Sequence, residues 1–527
     1  MELIFFATAF VCGFVVLQLN LPPLIGFLVA GFVLKLAGFE STILLEQVSA
    51  LGVTILLFSI GLKLKVKSLA KVQVWGPASL HITVSTLLFS GAILGLSYVG
   101  LPLFTEISPE TSLILGFALS FSSTVFAVKV LEERGEMASM HGKIAIGILV
   151  MQDVFAVLFL AISTGKTPNV FALGLLILLP VLRPVLFLVL NRSKHGEVLP
   201  LLGFFLALIV GYHAFEFAGI KGDLGALIVG MLFASHNKAS ELAKSLLHFK
   251  DFLLVGFFLT IGLNASLSME ALIAACIVVL LLPIKSWLYF YFLKSFKLRA
   301  RTSLLSTFSL SNYSEFGLIV CALAASNQWI TSDWLAVIAV AVAITFIIAS
   351  PLNAHANEIY VKYEPFWDSF ESKERLPEEK PVSLARSKVL IFGMGRIGRG
   401  AYETLIESYP QRVTGVDINP DCVSKHVDAG RFVVLADATD PDFWQNINHS
   451  DVEMVLLSMP KHAQNVYALE QLKASGFNGR VSAIAFYSDQ QRELEKMGVD
   501  STFNFYLEAG TGFAEHVKAT WQHSSSR

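Results

Sequence analysis

The sequence predicts a polytopic α-helical membrane protein with thirteen transmembrane helices, inverted repeats and two broken crossing helices, followed by an α/β Rossmann domain. More than half of the 527 residues are apolar and 15% are charged, whereas about a quarter are charged in a soluble domain. Charged residues concentrate in residues 357–386, and a strand–glycine–helix pattern follows them. This shift predicts a membrane domain at 1–356, a linker at 357–386 and a soluble domain at 387–527.

The thirteen spans are placed by hydrophobic runs near the roughly 20 residues that a membrane helix needs. Lysine and arginine collect in cytoplasmic loops, and in this layout sixteen fall on one side and three on the other. The bias predicts an external amino terminus and a cytoplasmic soluble domain. The runs begin near residues 2, 21, 47, 76, 110, 143, 169, 199, 222, 251, 269, 303 and 333; the cytoplasmic set is Lys63, Lys65, Lys67, Lys71, Lys129, Arg134, Lys143, Arg192, Lys194, Lys238, Lys244, Lys250, Lys294, Lys297, Arg299 and Arg301, and the external set is Lys35, Lys166 and Lys221.

Two predicted spans are interrupted by polar residues at corresponding places. The fifth reads ALSFSSTVFAVKV and includes Ser123 and Thr124, and the twelfth reads SLSNYSEFGLIV and includes Ser311 and Glu315. Broken helices in matching halves indicate an inverted-repeat transporter, whose half-helix ends meet near the membrane midplane beside the binding site. The alternative is that these polar groups only bond to their own or neighbouring helices.

Gln152 and Asp153 stand in the middle of the sixth run. A carboxylate at that depth is costly and is tolerated mainly where it binds an ion or a proton, so the pair predicts ion transport. Lys285 is its predicted partner, either in a purely structural ion pair or in a switch that holds Asp153 when no cation is bound. Glu315 either lines the ion path or stabilises the half-helix ends. Gln152 is neutral, so it can coordinate a cation through its carbonyl but cannot carry a second proton. One titrating carboxylate then remains at the centre, which argues for one monovalent cation exchanged for one proton.

The soluble domain opens with the strand KVLIFGMG and the helix RIGRGAYETLIES. Its glycines occupy the G-x-G-x-x-G positions, where the backbone approaches a pyrophosphate at the helix amino terminus. An acid at the second strand end and ADATD at the third belong at the same sheet edge. The pattern predicts nucleotide binding, against a domain that keeps the fold only for dimerisation. The candidate residues are Gly393, Gly395, Arg396, Ile397, Gly398, Asp417, Asp437, Ala438 and Thr439.

Along nearly its whole length the chain resembles the Kef-type members of the second monovalent cation:proton antiporter family, which carry a carboxy-terminal RCK (TrkA-N) domain. The resemblance rests on LIGFLVAGFVL, LLFSIGLKL, SSTVFAVKVL, GKIAIGILVMQDVFAV, LGALIVGMLFA, FKDFLLVGFFLTIGL, SEFGLIV, GMGRIGRG and ADATD. It implies an NhaA/NapA-like fold in a bacterial inner membrane, potassium efflux in exchange for protons, a homodimer, and elevator movement of a core domain. It implies neither an enzyme nor nucleic-acid binding.

By residue match, the family's ion and proton site falls on Asp153, assisted by Gln152, with Ser123, Thr124 and Lys285 near it. In this family the QD pair is associated with potassium, which would be bound at Asp153 and Gln152, whereas ND and DD pairs mark sodium exchangers. The glycines and acids of the soluble domain would hold AMP or NAD(H) as a regulatory nucleotide.

The chain departs from the glutathione-gated Kef proteins before the tenth helix, where SHNKASELAKSLLHFKD carries lysines in place of most of the acids. This weakens the expectation of glutathione gating and of an ancillary oxidoreductase subunit. Sodium:proton exchange is the alternative within the same fold. A potassium channel is disfavoured because the sequence has no TVGYG-like filter, and a membrane-anchored dehydrogenase because no substrate lobe follows the nucleotide fold.

Overall fold

The chain forms two compact units in a computed structural model. The first contains Met1–Lys129 and Ile144–Ser372, and the second contains Val130–Lys143 and Lys373–Arg527. Five of the basic residues used for orientation, Lys65, Lys67, Lys166, Lys194 and Lys221, lie outside the described residues, as do 372–375 and 377–386 of the predicted linker region. The structure describes residues 2–19, 23–63, 71–101, 103–105, 107–137, 139–163, 170–193, 196–219, 222–264, 268–371, 376, 387–440, 443–444 and 451–524.

Helices fill all thirteen predicted segments. Six described segments are long and apolar enough to cross a membrane, and two bent pairs raise that number to eight, so the membrane fold is confirmed and the count of thirteen spans stays a prediction. The helices are α1 (Glu2–Gln18), α2 (Pro23–Leu36), α3 (Ile43–Lys63), α4 (Val72–Ser97), α5 (Pro109–Ser120), α6 (Thr124–Glu133), α7 (Met140–Ser163), α8 (Val170–Arg192), α9 (Val198–Phe204), a π-helical stretch (Phe205–His213), α10 (Ala214–Phe217), α11 (Gly222–Phe233), α12 (Ala239–Asn264), α13 (Met269–Val279), α14 (Leu282–Ser295), α15 (Ala300–Leu310), α16 (Glu315–Ser326) and α17 (Asp333–Ala354).

Both predicted interruptions are present. Residues 121–123 separate α5 from α6, and residues 311–314 separate α15 from α16 with a bend of 44°. A serine caps the amino terminus of the helix that follows each break. The hydroxyl of Ser123 accepts the Phe126 N–H, and that of Ser314 accepts the Phe316 N–H. These bonds satisfy amides that a helix amino terminus leaves without an intrahelical partner.

Close helix packing around α3 depends on glycine. A Cβ added at Gly230 of α11 would lie 2.3 Å from the Phe58 carbonyl oxygen, and one added at Gly61 of α3 would lie 2.4 Å from the Leu227 carbonyl oxygen. The two backbones therefore touch directly. Small residues at such crossings allow dispersion contacts that hold membrane helices together when lipid removes the hydrophobic driving force.

The start of the predicted linker is helical. Helices α18 (Ala356–Lys362) and α19 (Glu364–Asp368) follow α17. Tyr360 and Trp367 pack with Phe290 of α14, and the Tyr360 hydroxyl donates to the Asp368 carboxylate at 3.0 Å. The aromatic residues between the charges pack within the first unit, and the bounds of the linker stay a prediction.

The carboxy-terminal domain is a six-stranded parallel sheet in the order β3-β2-β1-β4-β5-β6. This order, with the chain reversing direction across the sheet between β1 and β4, confirms the predicted Rossmann fold. Its elements are β1 (Val389–Phe392), α20 (Arg396–Ser408), β2 (Val413–Asp417), α21 (Pro420–Asp428), β3 (Val433–Leu435), β4 (Met454–Leu457), α22 (His462–Ala474), β5 (Arg480–Ala485), α23 (Ser488–Lys496), β6 (Ser501–Asn504) and α24 (Phe505–Ser524).

Gly230→Ala should destabilise the protein, because its methyl group would meet backbone rather than a movable side chain. Overpacking of this kind costs about 1–3 kcal/mol. The measurement is the midpoint of thermal unfolding in detergent. Gly91→Ala in α4 is the matched control, since nothing lies within 4 Å of its added Cβ. A Gly230→Ala midpoint equal to that of Gly91→Ala would contradict the packing described here.

Candidate functional site

The two interruptions meet each other. The Ser123 N–H in the first break donates to Oδ1 of Asn312 in the second at 2.7 Å, and Asn312 Nδ2 donates to the Ser309 carbonyl at 3.1 Å. Both residues are buried. One side-chain amide therefore ties the two broken helices together, as expected where half-helix ends of an inverted repeat cross.

Lys285 of α14 lies where the carboxyl ends of two half-helices meet. Its ammonium donates to the carbonyls of Leu119 and Phe121 at the end of α5, and to that of Asn312 after α15 at 2.8 Å. An ammonium has three protons, so these three acceptors use all of them. The positive charge also balances the negative ends of both helix dipoles. Lys285 thus stabilises the break itself, and its predicted action on Asp153 stays a prediction.

Glu315 lies on the opposite side of the crossing. It is the first residue of α16, is 2% exposed, and lies beside Ser123 and Val125 at the start of α6. A carboxylate near helix amino termini interacts favourably with their dipoles. This position favours the half-helix-end role over the ion-path role; the latter stays a prediction. Acid at the amino ends and lysine at the carboxyl ends together balance the dipoles of the crossing.

Asp153 of α7 faces the start of α6. The Thr124 hydroxyl lies 3.5 and 3.4 Å from the two carboxylate oxygens, and Asp153 is 2% exposed. The structure therefore brings Asp153 and Thr124 together, and the ion- and proton-binding roles of Asp153, Thr124 and Ser123 stay predictions. A buried carboxylate beside a hydroxyl can hold either a proton or a cation.

The amide of Gln152 is engaged on both sides. Its Oε1 accepts the Ser122 N–H at 2.9 Å, and its Nε2 donates to the Tyr289 hydroxyl at 2.5 Å. Potassium coordination by Gln152 stays a prediction, and in this conformation the side chain bridges the first break.

Ser311, in the second break, donates to the Thr307 carbonyl at 2.6 Å and accepts the Ser286 hydroxyl at 2.7 Å. Its predicted place at the ion site stays a prediction.

Sequence reasoning missed two residues of this site. Tyr289 and His81 are buried, and the ring of His81 stacks on that of Tyr289 at 3.4 Å. One signal was available: Tyr289 follows Lys285 by four residues, which places both on the same face of a helix. His81 offered no such signal, because a single histidine in an apolar helix has no local pattern.

The second unit contains a pocket of about 420 Å³ at the carboxyl edge of the sheet. Eight of the nine predicted nucleotide residues line it: Gly393, Gly395, Arg396, Ile397, Asp417, Asp437, Ala438 and Thr439. Gly135 and Gln464, which sequence reasoning did not single out, also line it, and Gln464 Nε2 donates to the Gly135 carbonyl at 2.9 Å. A pocket at the reversal point of a doubly wound sheet is where dinucleotides bind.

The ninth predicted residue, Gly398, acts through packing. A Cβ there would lie 2.0 Å from the Gly393 carbonyl oxygen, and Gly393 has a φ of +87°, a conformation that favours glycine. Gly395 instead has nothing within 4 Å of an added Cβ and is exposed. The free space over Gly395, at the amino terminus of α20, suits a phosphate held by backbone N–H groups.

The two predicted acids hold loops at the pocket edge. Asp417 accepts the Met394 N–H at 2.9 Å and the Asn419 N–H at 2.8 Å. Asp437 Oδ1 accepts both the N–H and the hydroxyl of Thr439.

Burial and the Asp417 carboxylate raise the pKa of the Cys422 thiol to about 11. This thiol is therefore protonated at neutral pH and is a weak nucleophile.

Comparisons with known proteins cover both units. A family model described as "sodium/hydrogen exchanger, transmembrane" matches residues 6–354, and one described as "TrkA-N domain" matches residues 389–505. The glutathione-regulated potassium-efflux system protein KefC of Shigella flexneri is 26% identical over 538 residues, covering 96% of this chain and 83% of that protein. YbaL of Escherichia coli is 26% identical over 527 residues, covering 93% and 92%.

A solved structure agrees in fold. The sodium proton antiporter MjNhaP1 from Methanocaldococcus jannaschii matches with a TM-score of 0.50 and 15% sequence identity, covering 68% of this chain and 97% of that one. At this identity the likeness concerns the fold alone. It places the helical region of this chain in an NhaP-like architecture.

Gly395→Asp should lower nucleotide affinity by at least about tenfold, because it places a negative charge where phosphate would lie. Folding should be retained, since its added Cβ meets nothing within 4 Å. Calorimetric titration of the full-length protein with AMP and with NADH measures the effect. Gly400→Asp on the same helix has equally open surroundings and does not line the pocket, so it is the matched control. Equal affinities in the two variants would refute the assigned phosphate position.

Proposed function

The chain belongs to the sodium/hydrogen exchanger family, and we propose that it exchanges potassium for protons across a bacterial inner membrane under the control of a bound nucleotide. The observation that carries this proposal is Asp153, a carboxylate buried at the crossing of two broken helices beside Thr124. We propose a transport role with no enzymatic one.

Coupling follows from competition for one carboxylate. A charged Asp153 carboxylate with no cation bound is costly in the membrane interior. Only the cation-bound form and the protonated form of the site therefore move between the two sides of the membrane. A cation that binds must displace the proton, and a proton that binds must displace the cation. With one carboxylate, one monovalent cation exchanges for one proton, which makes the exchange electroneutral. Movement of a core domain as an elevator would present Asp153 to each side in turn.

Potassium is proposed as the cation on two grounds. KefC, to which nearly the whole chain is similar, is a potassium-efflux system protein, and the QD pair is the one associated with potassium in such proteins. Sodium is the second candidate, because the fold is shared with a sodium proton antiporter. Transport measurements with both ions separate the two.

Regulation by AMP or NAD(H) is proposed from the pocket in the second unit. Helix α6 starts with Thr124 beside Asp153 and ends at Glu133. Gly135, two residues after the end of this helix, lines the pocket. A ligand that changes the end of α6 can thereby bias the ion site by its differential affinity for two states. We further propose a homodimer with an external amino terminus and a cytoplasmic nucleotide domain. Glutathione and an ancillary oxidoreductase subunit are not part of the proposal.

Asp153→Asn should abolish cation-dependent proton movement in proteoliposomes, because a side-chain amide does not take up a proton near neutral pH. The wild type should respond to K⁺ and be insensitive to membrane potential. Asp223→Asn is the control: Asp223 accepts the Thr54 hydroxyl at 2.7 Å, which an amide oxygen can also do.

Three results would contradict this assignment. Exchange that persists in Asp153→Asn removes this residue as the proton carrier. A larger response to Na⁺ than to K⁺ makes the protein a sodium exchanger. Dependence of the rate on membrane potential removes the one-for-one stoichiometry.

A further inference from the structure

The Tyr289 hydroxyl is the centre of a directed chain of hydrogen bonds. Gln152 Nε2 donates to it at 2.5 Å, and it lies 3.1 Å from the Ser122 hydroxyl. The Ser122 hydroxyl donates its one proton to the Leu310 carbonyl at 2.6 Å, so Tyr289 must be the donor toward Ser122. The chain links helices α7 and α14 to both breaks.

The tyrosine is held rigidly. Its side chain is fully buried, and the ring of His81 stacks on it at 3.4 Å with an angle of 7°. The same histidine lies with Nε2 3.3 Å from the Lys285 carbonyl, one turn earlier on α14. The hydroxyl therefore has one available position, set by α4 and α14.

That position fixes how Gln152 faces the break. Because Nε2 must donate to Tyr289, Oε1 faces the Ser122 N–H and accepts it at 2.9 Å. Gln152–Ser122 and Asp153–Thr124 are then adjacent links between α7 and the first break. The spacing of the first link sets the spacing of the second.

We propose that Tyr289 is a specificity-determining positioning residue, which fixes the width of the cation site by locking the Gln152 amide across the first break. The proposal rests on the cation:proton exchange proposed above. It would account for the association of the QD pair with potassium, since asparagine is one methylene shorter than the Gln152 side chain that spans from Tyr289 to Ser122. Tyr289 touches neither cation nor proton, and acts through Gln152.

Tyr289→Phe is the test, read out as the ratio of kcat/KM for K⁺ to kcat/KM for Na⁺ in proteoliposomes. Loss of the two hydrogen bonds of the buried Tyr289 hydroxyl should lower that ratio about five- to tenfold, while proton exchange itself continues. Tyr360→Phe is the control, because Tyr360 is buried, its hydroxyl bonds to Asp368, and it lies in α18. Its ratio should equal that of the wild type.

Coupling to Gln152 separates this role from general loosening of the fold. Gln152→Asn combined with Tyr289→Phe should give the same K⁺ to Na⁺ ratio as Gln152→Asn alone, since both changes break the same hydrogen bond between Gln152 and Tyr289. A Tyr289→Phe ratio equal to the wild-type ratio, or effects that multiply in the double variant, would overturn the proposal.

Two further results are informative. If Tyr289→Phe does not purify as a folded protein, Ser122→Ala tests the next link of the same chain, because it removes the acceptor that orients the Tyr289 hydroxyl and keeps the N–H that Gln152 bonds. Its K⁺ to Na⁺ ratio should also fall, and a ratio equal to that of the wild type would overturn the proposal. A wild type without cation-dependent proton exchange would refute the proposed function itself, whatever the variants do.

Discussion

The crossing in the membrane unit depends on Lys285. Its ammonium makes three hydrogen bonds, to carbonyls at the ends of two half-helices. A broken helix leaves carbonyls without intrahelical partners, and lipid offers none. A lysine there supplies three donors and a charge that balances two dipoles. These bonds hold the ends of α5 and α15 against α14 at the crossing.

Opposite charges and fixed polar groups complete the crossing. Glu315 stands at the amino end of α16 beside the start of α6, and Asn312 ties the two breaks together. Asn312 is hydrogen-bonded within the protein, whereas the buried carboxylate oxygens of Glu315 have no hydrogen-bond partner among the described residues. Asp153 is buried and lies 3.4–3.5 Å from the Thr124 hydroxyl. A buried carboxylate in such a position can take up a cation or a proton.

Local patterns predicted much of this architecture. The breaks were visible because serine and asparagine interrupt apolar runs, and the Rossmann fold because its glycines stand between a strand and a helix. Partners were less predictable, since they depend on contacts between distant segments. The sequence does not reveal the three carbonyls that Lys285 bonds, because they lie on other helices. Tyr289 has one local signal, its spacing of four residues from Lys285, and Gln464 has none. The helices α18 and α19 depend on aromatic packing against α14, which charge density in the sequence does not indicate.

In the proposed mechanism one carboxylate, Asp153, binds the cation and the proton in turn. Calorimetric titration of the purified protein with K⁺ in buffers of different ionisation enthalpy counts the protons released per cation bound. Competition for Asp153 should give proton release on K⁺ binding in the wild type that rises toward one proton per cation as the pH falls and the carboxylate starts out protonated, and none in Asp153→Asn. Wild-type protein that binds K⁺ without releasing protons at any pH where it is folded would show that cation and proton do not compete for this carboxylate.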